Sequence, residues 1–138
     1  MLQARDGEDL VVRLVDGEDL LACLGNLALD SAVILGGIGM VRGVRLGYWN
    51  GETYEEHRVE EPAELLSMQG NFATSAEGRV LHSHLSIARR DGSVCGGHVL
   101  AATVSNTAEI VIREYRRIRL ERRPQPSGGM GLYPTSAD

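Results

Sequence analysis

Only one segment of this 138-residue chain repeats apolar residues at spacings of three and four. Leu20, Leu21, Leu24, Leu27 and Ala28 recur in this way behind Asp16, a good N-cap residue. Asp19, three residues further on, completes a pattern like a capping box, with Asp in place of Glu or Gln. The spacing predicts one helix over about 17–28. Beyond it the helical period is lost, so the rest of the fold must come from strands. "SAVILGGIGMVRGVRLGYW" (31–49) is rich in β-branched residues and glycine, which favours two strands broken at the glycines. Asn50-Gly51 is a turn signal. "TYEEHRVEE" then reads as an edge-like strand stopped by Pro62, and "ELLSMQGNFAT" as another strand. "RVLHSHLSIARR" and "SVCGGHVLAATVS" flank Asp91-Gly92, a second hairpin signal, and "AEIVIREYRRIRLERR" closes the fold as a long strand. With a strand-like run at Leu10–Val15, the expectation is an α+β fold. It is a single compact domain with a mostly antiparallel sheet of about seven or eight strands and one main helix near 17–28. The domain is expected over 1–123. Residues 124–138, "PQPSGGMGLYPTSAD", are expected to form a flexible tail.

One Trp and one Phe leave the core to Val, Ile, Leu and Ala. The formal charge is −5 and every basic residue is Arg. A domain that binds DNA through its phosphates carries a basic face, and this composition does not supply one overall. The one basic concentration is "REYRRIRLERR" (113–123), which reads as a solvated strand face. Cys23 and Cys95 are too few for a disulfide framework. The first residues lack a basic segment followed by an apolar run, and no stretch reaches about 18 consecutive apolar residues. The expected compartment is therefore cytoplasmic, with no membrane partner.

Three of the four histidines, His82, His84 and His98, fall inside "LHSHLSIARRDGSVCGGHVL" (81–100). On a strand, His82 and His84 share a face, about 7 Å apart along the backbone. Their rings can converge on one ion, with Zn–N bonds of about 2.0–2.1 Å. Whether His98 joins them depends on register. A tight two-residue turn at Asp91-Gly92 would set His98 opposite Leu85, facing away. A metal site requires one extra residue, and the sequence offers two places for it. A three-residue loop 90–92, with Gly92 in the left-handed position of a G1 bulge, sets His98 directly opposite His84. A bulge at Gly96-Gly97 sets it opposite Ser86, on the same face. With no fourth protein ligand, three histidines make the open kind of zinc site. Cys95 points to the other face in the first arrangement and reads as a small packed residue. His57, in "EEHRVEE", reads as exposed, and "LGGIG" (35–39) lacks the spacing of a dinucleotide loop.

"ILGGIGMVRGVRLGYW", "AELLSMQGNFA", "LHSHLSIARRDGSVCGGHV" and "AEIVIRE" follow one another as in the PPC domain, shared by plants and prokaryotes, and the chain resembles that family over about residues 7–115. The resemblance implies a compact α+β domain similar to the zinc enzyme acetolactate decarboxylase, assembly as a homotrimer, and zinc or another divalent transition metal on His82, His84 and His98. In plants the domain follows a minor-groove AT-hook of Arg-Gly-Arg-Pro type. This chain has none, since "ERRP" (121–124) lacks the glycine. Two functions follow. One is a trimeric metal-binding domain with a DNA-associated or regulatory role without an AT-hook. The other is a metal-dependent lyase or hydrolase resembling acetolactate decarboxylase. There Glu64, in "AELLSMQG", is the candidate acid that the resemblance implies, and Arg45 is a candidate cation for a carboxylate substrate.

Overall fold

The computed structural model describes residues 1–136. The strands are β1 (Leu2–Asp6), β2 (Asp9–Val15), β3 (Ala32–Trp49), β4 (Tyr54–Val59), β5 (Ala63–Ser75), β6 (Gly78–Ala88), β7 (Val94–Glu114), β8 (Ile118–Pro124) and β9 (Met130–Ser136). One helix, α1 (Leu20–Gly25), sits between β2 and β3. The chain is thus a single mostly-β domain, with more strand and less helix than the α+β expectation of seven or eight strands. No helix among the described residues is long and apolar enough to cross a membrane.

The strands form one sheet in the order β1-β2-β7-β3-β5-β8-β9, with β4 on β3 and β6 bridging β5 and β7. Because β3 pairs with both β5 and β7, and β6 pairs with both as well, these four strands close a circuit. Closure hides backbone edges that would otherwise be open to other chains. The alternating residues that point inward make the core. Val41, Met68, Ile87, Ile110 and Ile112 are fully buried there. Leu20 and Leu24 of α1 are also fully buried, packing the helix on β6 and β7.

The helix is shorter than the 17–28 expected. Its N-cap is Asp19, whose carboxylate accepts from the Ala22 amide at 2.9 Å. Gly17 takes a left-handed φ of 84°, which ends any helix beginning at Asp16. Asp16 instead binds Arg42 and the Asn106 amide. Residues 32–49 are one long strand where two were expected. Its glycines mark register shifts against β7, not breaks. The closing long strand is in turn divided. Tyr115 donates its amide to the Ser31 carbonyl at 2.8 Å, and the Leu120 amide donates to Ser31 Oγ at 2.9 Å. These bonds fold β8 back across the sheet. Within the tail expected over 124–138, residues 130–136 form β9, which pairs with β8 from Met130↔Pro124 to Ser136↔Ile118, and residues 137–138 lie outside the described residues. β1, paired with β2 across a turn at Gly7-Glu8, was not anticipated.

Candidate metal centre

The β6–β7 hairpin settles the register question. Arg89 N donates to Ser93 O and Gly92 N to Arg89 O, each at 2.9 Å, closing a three-residue loop in which Gly92 has φ +82°. This is the first of the two arrangements open in the sequence, and it pairs His84 directly with His98. No register shift interrupts β6–β7 at Gly96-Gly97. Those glycines serve close backbone approach: a Cβ on Gly96 would lie 2.5 Å from the Leu85 carbonyl oxygen, and one on Gly97 3.0 Å from that of Gly47.

Ser83, Leu85 and Ile87 point into the core, so His82 and His84 stand on the opposite face of β6. One ring nitrogen from each of His82, His84 and His98 lies within 4.8 Å of the others. The Nε2 atoms of His82 and His84 are 3.1 Å apart. Two ligands on one tetrahedral zinc with bonds of about 2.0–2.1 Å stand about 3.3 Å apart, so this spacing is already close to that of a shared ion. His98 Nδ1 is buried without a hydrogen-bond partner. A three-imidazole set with an orphaned ring nitrogen on His98 fits a divalent transition metal. Cys95 pairs with Ile87 and packs against the core, so it adds no fourth ligand.

Burial, and then the charges of Arg122, His98 and His84, push the His82 pKa down to about 4. Burial, then His84 and Arg122, lower that of His98. Both rings are therefore neutral at pH 7, with lone pairs free for a metal. Tyr54 stacks on His98 with ring centroids 4.6 Å apart and planes 16° apart, and Trp49 meets Tyr54 edge-on at 5.3 Å. Gly47 makes this possible: a Cβ there would lie 2.6 Å from Tyr54 Cδ1.

The histidines open into a cavity of about 780 Å³ walled by the β3–β4 hairpin on one side and by β8, β9 and their connection on the other. That size suits a small organic molecule. No Asp or Glu among the described residues lines it. Glu64 is not part of it. It pairs with Ala88, four residues along β6 from His84, or about 13 Å at the usual rise. The acid that the resemblance implied is therefore not brought to the histidines. Arg45 is likewise engaged elsewhere, its Nε and Nη2 donating to the two Glu56 oxygens at 3.0 and 2.7 Å. His57 is exposed on β4, as expected.

The cation at the cavity is Arg122, hidden in the sequence within a run read as a solvated face. Its side chain is only 9% exposed. The signal was strand parity: Leu120 and Arg122 share one face of β8, so an arginine occupies a position of the apolar face.

The site is a three-histidine cluster facing the outer cavity of a closed β domain. The chain belongs to the Plants and Prokaryotes Conserved (PCC) domain family, whose family model matches residues 1–116. The family resemblance in the sequence is thus shown. The chain is similar to a plant- and prokaryote-conserved (PPC) protein from Pyrococcus horikoshii, with 28% identity, 96% of this chain and 92% of that one covered, and a TM-score of 0.83. It is also similar to a metal-containing protein from Archaeoglobus fulgidus, with 27% identity, 96% and 98% covered, and a TM-score of 0.82. A protein from Bacteroides thetaiotaomicron, provisionally named as DNA-binding, shares the fold at 24% identity, 96% of each chain covered and a TM-score of 0.89. Among curated proteins, the bifunctional protein GlmU of a Synechococcus strain is 27% identical over 135 residues, 92% of this chain. The chain spans about a fifth of that relative's length.

Proposed function

We propose that this domain binds a divalent transition metal, zinc foremost, through His82, His84 and His98, and presents it to a small molecule in the adjoining cavity. The observation that carries the reading is the convergence of three imidazoles on one point, with two Nε2 atoms 3.1 Å apart. The metal-containing relative from Archaeoglobus supports it. A zinc ion on three protein ligands keeps a position for water or substrate and acts there as a Lewis acid. The protein's own part is to hold the His82 and His98 imidazoles neutral, to stack Tyr54 on His98 and to shape the cavity.

A DNA-associated or regulatory role is the reading suggested by the name of the Bacteroides relative. Four of the six arginines of 113–123 give it little support, and only Arg117 and Arg119 are exposed without an ion pair among the described residues. Arg113 is held by Asp9 at 2.7 and 2.9 Å and Arg123 by Glu121 at 2.6 Å, Arg116 lies 3.8 Å from Glu8, and Arg122 is interior. A small-molecule role accords better with the aromatic cavity and the net negative charge. An enzymatic form, a lyase or hydrolase, rests on the open coordination position alone, since Glu64 is not at the cavity.

The reading includes assembly as a homotrimer in the cytoplasm. Val11, Leu35, Ile38, Leu66 and Val111 are exposed on neighbouring strands, an apolar stripe of the kind that copies of a chain cover. The two free cysteines accord with a reducing compartment.

X-ray absorption at the zinc edge, on protein loaded with one equivalent of zinc, tests the site. Three imidazole nitrogens plus water-type oxygen are expected. A sulfur ligand, or a shell without imidazole, would refute it. Sedimentation velocity tests the trimer, which a monomer at micromolar concentration would rule out.

A further inference from the structure

Arg122 is a buried cation without a counter-ion. Its Nη1 donates to the Met130 carbonyl at 3.1 Å and its Nη2 to Asn71 Oδ1 at 3.0 Å, both neutral acceptors. Its Nε is buried and unpartnered. Ten ion pairs form among the described residues, and Arg122 takes part in none of them. A guanidinium taken out of water without a carboxylate is unfavourable unless something anionic joins it. It lines the same cavity as the three histidines, and Asn71, which it grips, is the cross-strand partner of His82. Arg122 thus brings its positive charge to a cavity that no Asp or Glu lines among the described residues. Such a cavity selects anions. Its other walls, Trp49, Tyr54, Leu81 and Met130, are apolar or aromatic, which suits an organic body better than a bare inorganic ion.

We propose that Arg122 is the anion anchor of this cavity, and that the ligand is a small organic carboxylate with an apolar body, its carboxylate on the guanidinium and a further oxygen facing the histidine cluster. The second contact rests on the metal reading. The Arg122 contact does not. Arginine is the residue for this task because its planar fork matches the two carboxylate oxygens.

Trp49 is the only tryptophan and lines the cavity, so its fluorescence reports occupancy. Zinc-loaded and metal-free protein are titrated with 3-phenylpropanoate and with its neutral counterpart, 3-phenylpropan-1-ol. Saturable quenching by the carboxylate is expected, with the alcohol at least about tenfold weaker. Arg122→Met should abolish that preference in both forms while zinc stays stoichiometric, and Arg122→Lys should restore part of it. The wild-type comparison of acid with alcohol stands even if a variant fails to fold. The assignment is overturned by equal binding of acid and alcohol, by an Arg122→Met protein that binds the acid like wild type, or by inorganic phosphate displacing the acid at equal concentration. A protein that takes up no zinc removes the metal contact only, and the metal-free titration still decides Arg122.

Discussion

Gly47→Ala isolates the contact between Tyr54 and His98 from the rest of the fold. The added Cβ would stand 2.6 Å from Tyr54 Cδ1 and 3.0 Å from Cγ. Ordinary carbon contacts need about 3.5–4.0 Å, so the ring must retreat by roughly 1 Å. The stacked pair, with centroids now 4.6 Å apart, is then lost or tilted. Losing an aromatic pair costs about 0.5–1.5 kcal/mol. Replacing glycine by alanine inside a strand returns about 0.5–1 kcal/mol of backbone entropy. The two nearly cancel, so global stability should change by less than about 1 kcal/mol. Metal affinity has no such offset, because a loosened His98 must be ordered when it binds. Groups that orient a ligating histidine are typically worth about 10–100-fold in metal affinity. The assay is zinc competition against a chromophoric chelator, beside urea unfolding of the metal-free protein. An unchanged midpoint with zinc binding weakened about tenfold supports the reasoning. Zinc affinity within about twofold of wild type, with the midpoint preserved, would refute it.

The remaining expectations concern pH, core and loop. His82 has a folded pKa near 4 against 6.5 when free, so below pH 6.5 the unfolded chain takes up a proton that the folded chain refuses. Stability of the metal-free protein should therefore fall between about pH 6.5 and pH 4, and urea midpoints in His82→Gln should fall less; an identical slope in the variant would contradict this. Ile110, fully buried against Gly37, should cost about 2–5 kcal/mol when changed to Ala, measured by urea unfolding. Gly92→Ala puts a side chain at φ +82° where nothing crowds it, so its cost is backbone strain alone, about 1–2 kcal/mol, with weaker zinc binding as the loop loosens. Glu64→Gln should leave zinc content and affinity unchanged, as elemental analysis and chelator competition would show.

What could be read from sequence was what period and loop length determine. The alternation of "LHSHL" put two histidines on one face, and the count from His84 to His98 allowed only certain loops. Gly92, able to take a positive φ, selected one of them. The helix was overextended because Asp16 and Asp19 are both good caps, and only the left-handed turn at Gly17 decides between them. β9 was illegible for a different reason. "SGGMGLYPTS" has weak strand propensity, and its order depends on β8, which is in turn held by bonds to Ser31. Those are tertiary facts that no local pattern carries. Arg122 was masked by its neighbours, for one buried arginine among five solvated ones looks like another surface charge. Glu64 was implied by the family motif alone, and the β5–β6 register places it away from the cavity.

The central claim is that His82, His84 and His98 form one metal site. Metal content of the purified protein, by elemental analysis after zinc is supplied and excess removed, tests it beside the His82→Ala/His84→Ala double variant. About one zinc per chain in the wild type, and none in a variant that still folds, is the predicted result. No zinc in the wild type, or zinc retained in the variant, would contradict it.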